Sequence, residues 1–502
     1  MNMISFTIRK LLAFVEWARY HFIVKKLHTW LGYLLFAIIA LAMSYANAVI
    51  DFRVGVVVVV AFSMILTVIL CLKYPRFGLY LTISLSSILA LIVRLLNLSF
   101  NPPYGVLVEL LTYLSLIGIL FNPKLRKNMD GEFWISPVSI TFFLVLIYNF
   151  IELFNPSMLG KIGWTYFYRK QISYFFFYYV AYCLLSSRKS INFFINYLII
   201  SNTLLALYAC KQQWLGYADF EMLSILQGGE RAYQLLFQGG FLRKFSTMAD
   251  PASSGVLFAS VAMLCIVSWL RETNYKRRRW LLVAVVINVL GYSYSGTRTA
   301  TFMVVAGICF YVAATIYEKR TLVFLGLCVL AFTFLMVAPI HSPVIERTRT
   351  TFQGTKDPSA ALRDYDRHQV QPYIQEHPMG GGVYTCGMEG PLYNKGHYLE
   401  QFQPDSGYMK TLAEEGPIGL ALMVISYFFM LRIGVRNFYR SKDPKIQNQY
   451  IALLTMTFTL MLAQYAQIAI NQYPIILIFC CIMVVFIKLP KYENEVVESA
   501  NP

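Results

Sequence analysis

The sequence predicts an all-α fold: a polytopic transmembrane helical bundle of about 12–14 spans, with a large, partly helical outer loop between late spans. Three observations predict it. The 502-residue chain is 57% hydrophobic and 14% charged, with a mean hydropathy of +0.54, far more apolar than a soluble core of this length needs. The apolar residues come in runs of roughly 17 to 22, the length that crosses a bilayer as a helix. Basic residues, finally, concentrate in every second loop, as the positive-inside rule requires.

Residues 4–28 mix apolar positions with Arg9, Lys10, Arg19, Lys25 and Lys26 at helical spacing. That pattern suits an amphipathic helix lying on the membrane surface, and no cleavable signal peptide is expected. Apolar spans follow at 30–49, 54–72, 77–97, 104–121, 134–154, 172–187, 191–210, 252–270, 280–296, 299–317, 321–340, 417–435, 450–470 and 473–489. The ninth and tenth are short and share the break SGTR, so one re-entrant hairpin is an alternative and smaller counts stay open. The expected organisation is an amphipathic segment 1–29, a transmembrane region 30–340 with an outer loop 211–251, a large outer loop 341–416, C-terminal helices 417–489, and a tail 490–502.

With the N-terminus inside, the inner loops hold Lys73 and Arg76, Lys124, Arg126 and Lys127, Arg188 and Lys189, Arg271 with Lys276 to Arg279, Lys319 and Arg320, and Arg432 to Lys445. The net charge of +17 is thus largely an orientation signal facing anionic lipid, and its distribution argues against nucleic acid. Outer basic residues instead cluster at 161–170, at Lys211, Arg231, Arg243 and Lys244, at Arg298, and at several points of 341–416; Arg94 falls inside a span. Long loops escape the orientation rule, so such a cluster is free to bind phosphate. A solvated loop surface is the plainer reading of any single member. The nine cysteines give no disulfide framework: eight lie in or beside apolar runs, and Cys386 stands alone in the polar loop.

Three segments have the residue types for chemistry. In GGFLRKFSTMADPASSGVLFA, 239–259, Pro251 and the serines that follow mark a helix start beside Arg243, and helix starts offer unpaired N–H groups to anions. In GYSYSGTRTATFMVV, 291–305, Arg298 sits between apolar runs, costly unless it meets water, a partner or a ligand. The loop segment AALRDYDRHQVQPYIQEHPMGGG reads as a helix over 360–376 with Leu362, Tyr365, Val370, Tyr373 and Ile374 on its apolar side, stopped by His377–Pro378. The loop histidines lack zinc spacing. A fourth stretch, PDSGYMKTLAEEGPIGL at 404–420, places Asp405 and Tyr408 where the chain re-enters the membrane, with Glu414 and Glu415 reading as caps near a helix start.

Together these segments resemble the O-antigen ligase / O-antigen polymerase superfamily of bacterial inner-membrane glycosyltransferases, over roughly 239–435. LRKFSTMADPASSG looks like its Arg-bearing segment before a span, YSYSGTRTA like its Ser-Arg break, RDYDRHQVQPYIQEHPMGGG like its Arg-helix-Pro-Gly run, and DSGYMKTLAEEGPIGL like its closing motif. The resemblance implies a periplasmic active face and an undecaprenyl-diphosphate-linked glycan donor. The acceptor would be a glycan or lipid A–core, with neither metal nor nucleotide as cofactor, and a chain-length regulator or another assembly protein would be a partner. It implies that Arg243 and Arg298 bind the diphosphate and stabilise the leaving group, that Arg363 supports the loop or a glycan phosphate, and that position 405 bears the base. Many ligases have His there. Here it is Asp405, with His397 as a second candidate base and Tyr408 beside the substrate. The departure favours polymerase over ligase, with protein glycosylation a further possibility within the superfamily. A lipid-linked glycan flippase is the rival from another class, and would more often show two related halves; none is visible.

Overall fold

The structure, a computed structural model, describes residues 20, 29–49, 53–97, 105–238, 240–337, 349 and 358–492. The expected surface helix at 4–28, most of 341–357 and the end of the tail lie outside the described residues. Among those described, a helix meets each of the fourteen predicted spans: α1 (Trp30–Val49), α2 (Arg53–Lys73), α3 (Pro75–Leu95), α4 (Gly105–Phe121), α5 (Pro137–Ile151), α6 (Lys161–Leu184), α7 (Arg188–Trp214), α8 (Pro251–Arg271), α9 (Tyr275–Ser295), α10 (Arg298–Thr315), α11 (Lys319–Val337), α12 (Gly407–Arg440), α13 (Pro444–Ala466) and α14 (Ile475–Lys488). Seven of them are long and apolar enough to cross a membrane by length and composition alone: α3, α5 with its following turn, α7, α8, α10, α11 and α12. The chain is an all-α, multi-pass helical protein; its single sheet among the described residues is a two-residue hairpin, β1 (Phe237–Gln238) and β2 (Phe241–Leu242).

The SGTR break separates two helices. Gly296 takes a left-handed conformation (φ 60°) that closes α9, and α10 begins two residues later at Arg298. At 1.5 Å per residue the two helices run about 31 and 27 Å, and α10 is long and apolar enough to cross a membrane by length and composition.

The contacts divide the chain into two compact units. One comprises residues up to Gly78 together with Leu114–Lys127; the other comprises Leu79–Tyr113 and Asn128 onward. In the first, Gly118 lets α4 lie against the end of α2, since a Cβ there would be 2.8 Å from the carbonyl oxygens of Cys71 and Leu72. In the second, α8 is the central helix, packed on α7, α9, α10 and α13. Small residues permit that closeness: a Cβ at Gly255 would be 2.4 Å from Ser295 Oγ, and one at Gly307 would be 2.7 Å from Thr459. Such residues let helices approach where lipid supplies no hydrophobic drive. Hydroxyls inside the bundle are satisfied locally, as where Thr455 and Thr457 donate to Ile451 O and Leu453 O, the arrangement an apolar medium demands. The helix α11 is exposed along nearly its whole length, as a lipid-facing helix is. At the end remote from the large loop, Arg271 donates to Glu318 at 2.7 Å and Arg188 to Asp443 at 2.5 Å.

The large loop is folded where it is described. Its helix, Pro358–Glu376, has nearly the predicted bounds. Val370 and Tyr373 are buried against Cys386, Leu399 and Ala413, but Tyr365, expected on the apolar side, is 60% exposed. A second apolar cluster joins Met158, Phe167, Val383 and Tyr384. The glycine run then meets the start of α12 backbone to backbone: Gly381 N–H donates to Ala413 O and Gly382 N–H to Glu414 O, both at 2.8 Å.

Candidate functional site

The site grows from the start of α8. Asp250 caps that helix, accepting from Ser253 N–H at 2.9 Å and Ser253 Oγ at 2.6 Å, with Pro251 in the first turn. This is the helix start the sequence marks. Upstream, the hairpin delivers Arg243, whose own N–H donates to Leu236 O at 3.0 Å and whose carbonyl accepts from Tyr217 Oη at 2.6 Å. Its side chain then reaches the SGTR break. Arg243 Nε donates to Ser295 O at 2.9 Å and Nη2 to Thr297 Oγ1 at 3.1 Å; Thr297 Oγ1 in turn donates to Pro251 O at 2.9 Å. Two segments 50 residues apart in sequence are thus tied by one guanidinium and one hydroxyl. Arg243 spends two of its five N–H donors in these bonds.

Arg298 occupies the first turn of α10, where a positive charge opposes the helix dipole. Burial lowers the Arg243 pKa most; Asp250 and Tyr217 oppose that, and the nearby Arg298 charge adds to it. The Arg298 charge thus acts on Arg243, beside the stronger pull of Asp250. Lys244 lies beside them, its ammonium 4.5 Å from the Tyr217 ring centre, and its pKa is lowered by burial against the pull of Glu221.

The closing motif arrives from the other side. Ser406 caps α12, accepting from Met409 N–H at 3.4 Å, while its hydroxyl donates to Gln464 O at 3.1 Å. Gly407 lies so close to Gln464 that a Cβ would be 2.0 Å from its Nε2. Asp405 is exposed immediately before this cap. Beyond α13 the chain turns across the site. Gln464 Oε1 accepts from Ala469 and Ile470 N–H at 2.8 and 2.9 Å, Gln467 Nε2 donates to Ala252 O at 3.3 Å, and Gln472 Oε1 accepts from Ser253 Oγ. Residues 464–472 accordingly bridge the α12 cap that follows Asp405 to the α8 start that Thr297 and Arg243 hold. The structure thus brings the Arg243, Arg298 and Asp405 segments to one end of the bundle.

The other predicted residues are placed differently. His397 is buried in the loop core. Its Nδ1 accepts from Leu399 N–H at 3.0 Å, which puts the proton of the neutral ring on Nε2, 3.2 Å from Tyr373 Oη. Burial lowers its pKa, a hydrogen bond from the ring to the Ser157 backbone opposes, and His377 adds to the lowering. Tyr408 commits its hydroxyl to Met461 O at 2.8 Å. Arg363 lies on the loop helix, but its side chain is outside what is described. Glu414 does not cap: it is buried, 3.2 Å from Cys386 Sγ and 3.4 Å from Cys386 N. It takes that place because α12 starts at Gly407, seven residues earlier than a start at Glu414 would put it. Burial raises the Cys386 thiol pKa, with the Glu414 carboxylate adding to the effect.

Several residues of the site were not singled out by the sequence. Arg94, noted only as a charge within a span, is buried with Nη2 2.8 Å from Ala249 O and its guanidinium 4.0 Å over Phe245. Glu221 and Gln212 brace the Arg243 segment: Gln212 Nε2 donates to Glu221 Oε1 at 2.7 Å, and Gln212 Oε1 accepts from Ser246 N–H at 2.8 Å. The available signal for Gln464, Gln467 and Gln472 was three glutamines at the end of an apolar run. No group of three or more His, Cys, Asp or Glu suited to a metal ion occurs among the described residues.

The fold and this end of the bundle define a multi-pass membrane protein with a cationic site beside a folded loop. Residues 283–424 match the family model described as O-antigen ligase, so this part of the chain is similar to that family. No curated protein matches.

Proposed function

We propose that this protein transfers a glycan from undecaprenyl diphosphate to a hydroxyl acceptor, at the end of the bundle that bears the large loop, without a metal. The observation that carries the reading is the pairing of Arg243 with Arg298. One guanidinium is fixed on Ser295 O and Thr297 Oγ1, and the other stands close by at the start of α10. Two fixed cationic groups at one place suit a diphosphate, whose charge grows as it leaves, which is when fixed donors lower a barrier.

Asp405, exposed just before the α12 cap, takes the acceptor proton as the hydroxyl oxygen attacks the anomeric carbon. The glycosidic bond to the diphosphate breaks, and the diphosphate departs with the electron pair toward the arginines. A single displacement inverts the anomeric centre. His397 is less suited to the base role, since its acceptor nitrogen already holds Leu399 N–H. The distribution of basic residues among the loops supports a periplasmic face for this site, with both termini inside. Polymerisation is preferred to ligation onto lipid A–core because Asp replaces the His of many ligases.

The test is transfer by the protein in vesicles from a lipid-diphosphate-linked repeat to a second repeat or to lipid A–core. Arg298→Ala and Arg243→Ala are expected to lower transfer by about 10²–10³-fold each, as loss of a charge-stabilising donor does. Asp405→Asn should abolish it. Wild-type rates in all three variants would sink the proposal. Product on lipid A–core alone would make the enzyme a ligase.

A further inference from the structure

In the polymerase reading the acceptor, like the donor, is a repeat carried on a lipid diphosphate. Two such anions have to be held at once, and Arg243 with Arg298 accounts for one. The basic residues at 161–170, which that site leaves unused, supply a second group. The apolar run at 172–187 begins just after Arg169 and Lys170, so both stand near the level at which a lipid's phosphates lie. Glu109, buried on α4, fixes the first of them, with Oε2 3.1 Å from Arg169 Nε. The Arg169 side chain is 36% exposed, and no described residue takes a hydrogen bond from its Nη1 or Nη2. A fixed guanidinium with an open fork is the donor geometry that phosphate oxygens fit in pairs.

Lys170 is half-buried and donates to Tyr384 Oη at 3.1 Å, and no carboxylate lies within ion-pairing distance of it among the described residues. Phe167, three residues earlier on the same helix face, meets the Tyr384 ring edge-on at 5.4 Å. Tyr384 itself holds φ 59°, a left-handed conformation rare for a bulky residue. Such strain persists where the surroundings over-determine it, as at ligand clamps. Here Asn394 Nδ2 donates to the Tyr384 carbonyl at 2.9 Å, and Tyr393 stacks on its ring at 5.7 Å. Lys410 Nζ stands 5.5 Å from the same ring and is paired with Glu389 at 3.2 Å. The group reaches the Asp405 segment, since a Cβ at Gly387 would be 3.8 Å from Lys410 Nζ and 3.9 Å from Pro404 Cδ. Two residues beyond Pro404, Ser406 Oγ donates to Gln464 O, where the bridge to the α8 start begins. Asp405 therefore lies on the stretch that joins the two basic groups.

We propose that Arg169 and Lys170 hold the diphosphate of a second lipid-linked substrate, the acceptor, whose glycan runs from there past Tyr384 toward Asp405. The name acceptor rests on the transfer reading above; the capture of a lipid diphosphate at Arg169 and Lys170 does not. The same two cations meet any lipid phosphate, so the test sets a diphosphate against a phospholipid.

The experiment titrates farnesyl diphosphate into the full chain in phosphatidylcholine nanodiscs and counts bound equivalents by native mass spectrometry. Wild-type protein should bind two. The double variant Arg169→Gln, Lys170→Gln should keep one and bind the other about 10- to 100-fold more weakly, as loss of hydrogen bonds to a charged group does. Arg298→Ala should lose the opposite one. Phosphatidylglycerol added to the nanodiscs should leave both in place. With a lipid-linked repeat as each substrate, the double variant should raise KM for the acceptor about tenfold or more and leave KM for the donor unchanged. A single equivalent in wild-type protein would overturn the proposal, as would two tight equivalents in the double variant or loss of the second to phosphatidylglycerol. Should the double variant fail to fold, Lys170→Met, expected to weaken the second equivalent about tenfold, and the wild-type count decide. Two equivalents in a protein that transfers no glycan would sink the transfer reading and leave this site standing.

Discussion

The junction between the glycine run and α12 gives the sharpest test of how the loop is held. Gly416 interrupts α12 with φ 67° and ψ −173°, a region open essentially to glycine alone, where another residue stores about 1–3 kcal/mol. A Cβ added there would also be 2.3 Å from Pro378 O and 2.9 Å from Gly380 N. Those are backbone atoms, which cannot rotate away as a side chain would, so relief requires the glycine run to move. Overpacking of that kind costs a further 1–3 kcal/mol or so. Gly416→Ala should therefore open the loop by about 2–6 kcal/mol.

Two glycines separate the contributions. Gly240 has φ 80° with nothing within 4 Å, so Gly240→Ala reads backbone strain alone. Gly131 has φ −69° and equally open space, so Gly131→Ala should change little, within about 0.5 kcal/mol. The assay is limited proteolysis between 383 and 406 with the protein in nanodiscs, under conditions where reclosing outruns cleavage and the rate reads the open population. At 1.4 kcal/mol per tenfold, Gly416→Ala should be cut about 30-fold faster or more, with Gly131→Ala at the wild-type rate. Equal rates for Gly416→Ala and Gly131→Ala would refute the argument that backbone contact at Pro378 fixes the loop.

Three further outcomes follow from the site. Thr297→Val orphans Arg243 Nη2 and leaves Pro251 O with Ser254 Oγ as its side-chain donor; losing a hydrogen bond to a charge costs about 1.5–3 kcal/mol, so kcat/KM for the lipid donor should fall roughly 10- to 100-fold, with Thr297→Ser near wild type. His397 has its pKa lowered from 6.5 in the fold, chiefly by burial. The unfolded loop then binds the proton more readily, so loop stability is full above about pH 6.5 and declines as pH falls through the folded value. Proteolysis from pH 7.5 to 5.5 should show that decline, and His397→Gln should flatten it. Cys386 is fully buried with a raised thiol pKa, so it should resist maleimide at pH 8 in the folded protein, as read by mass spectrometry, and react once the loop is opened in Gly416→Ala.

What the sequence could and could not show divides along a physical line. Helices in lipid must satisfy their own backbone and expose apolar side chains, so each leaves a run of apolar residues that can be read directly; a described helix meets each of the fourteen runs, and seven of these helices are long and apolar enough to cross a membrane. The end of α9, the start of α8 and the kink within α12 were legible for a related reason, because Gly296, Asp250–Pro251 and Gly416 meet backbone requirements that few residue types can meet. Partners 28 to 58 residues apart leave no such mark. Nothing local says that Arg243 will find Ser295 O, that Gln464 will receive Ser406, or that Glu414 will turn to Cys386. The two kinds of feature also bear differently on function. Arg243 and Arg298 stood out because charge beside an apolar run is expensive, a cost visible in one dimension. The glutamine bridge has no such signature: Gln464, Gln467 and Gln472 are ordinary residues in sequence, and only the meeting of α8, α12 and the end of α13 makes them one brace. A site for an anion in a membrane can thus be found from charge alone, whereas the uncharged residues that brace it have to be found from packing.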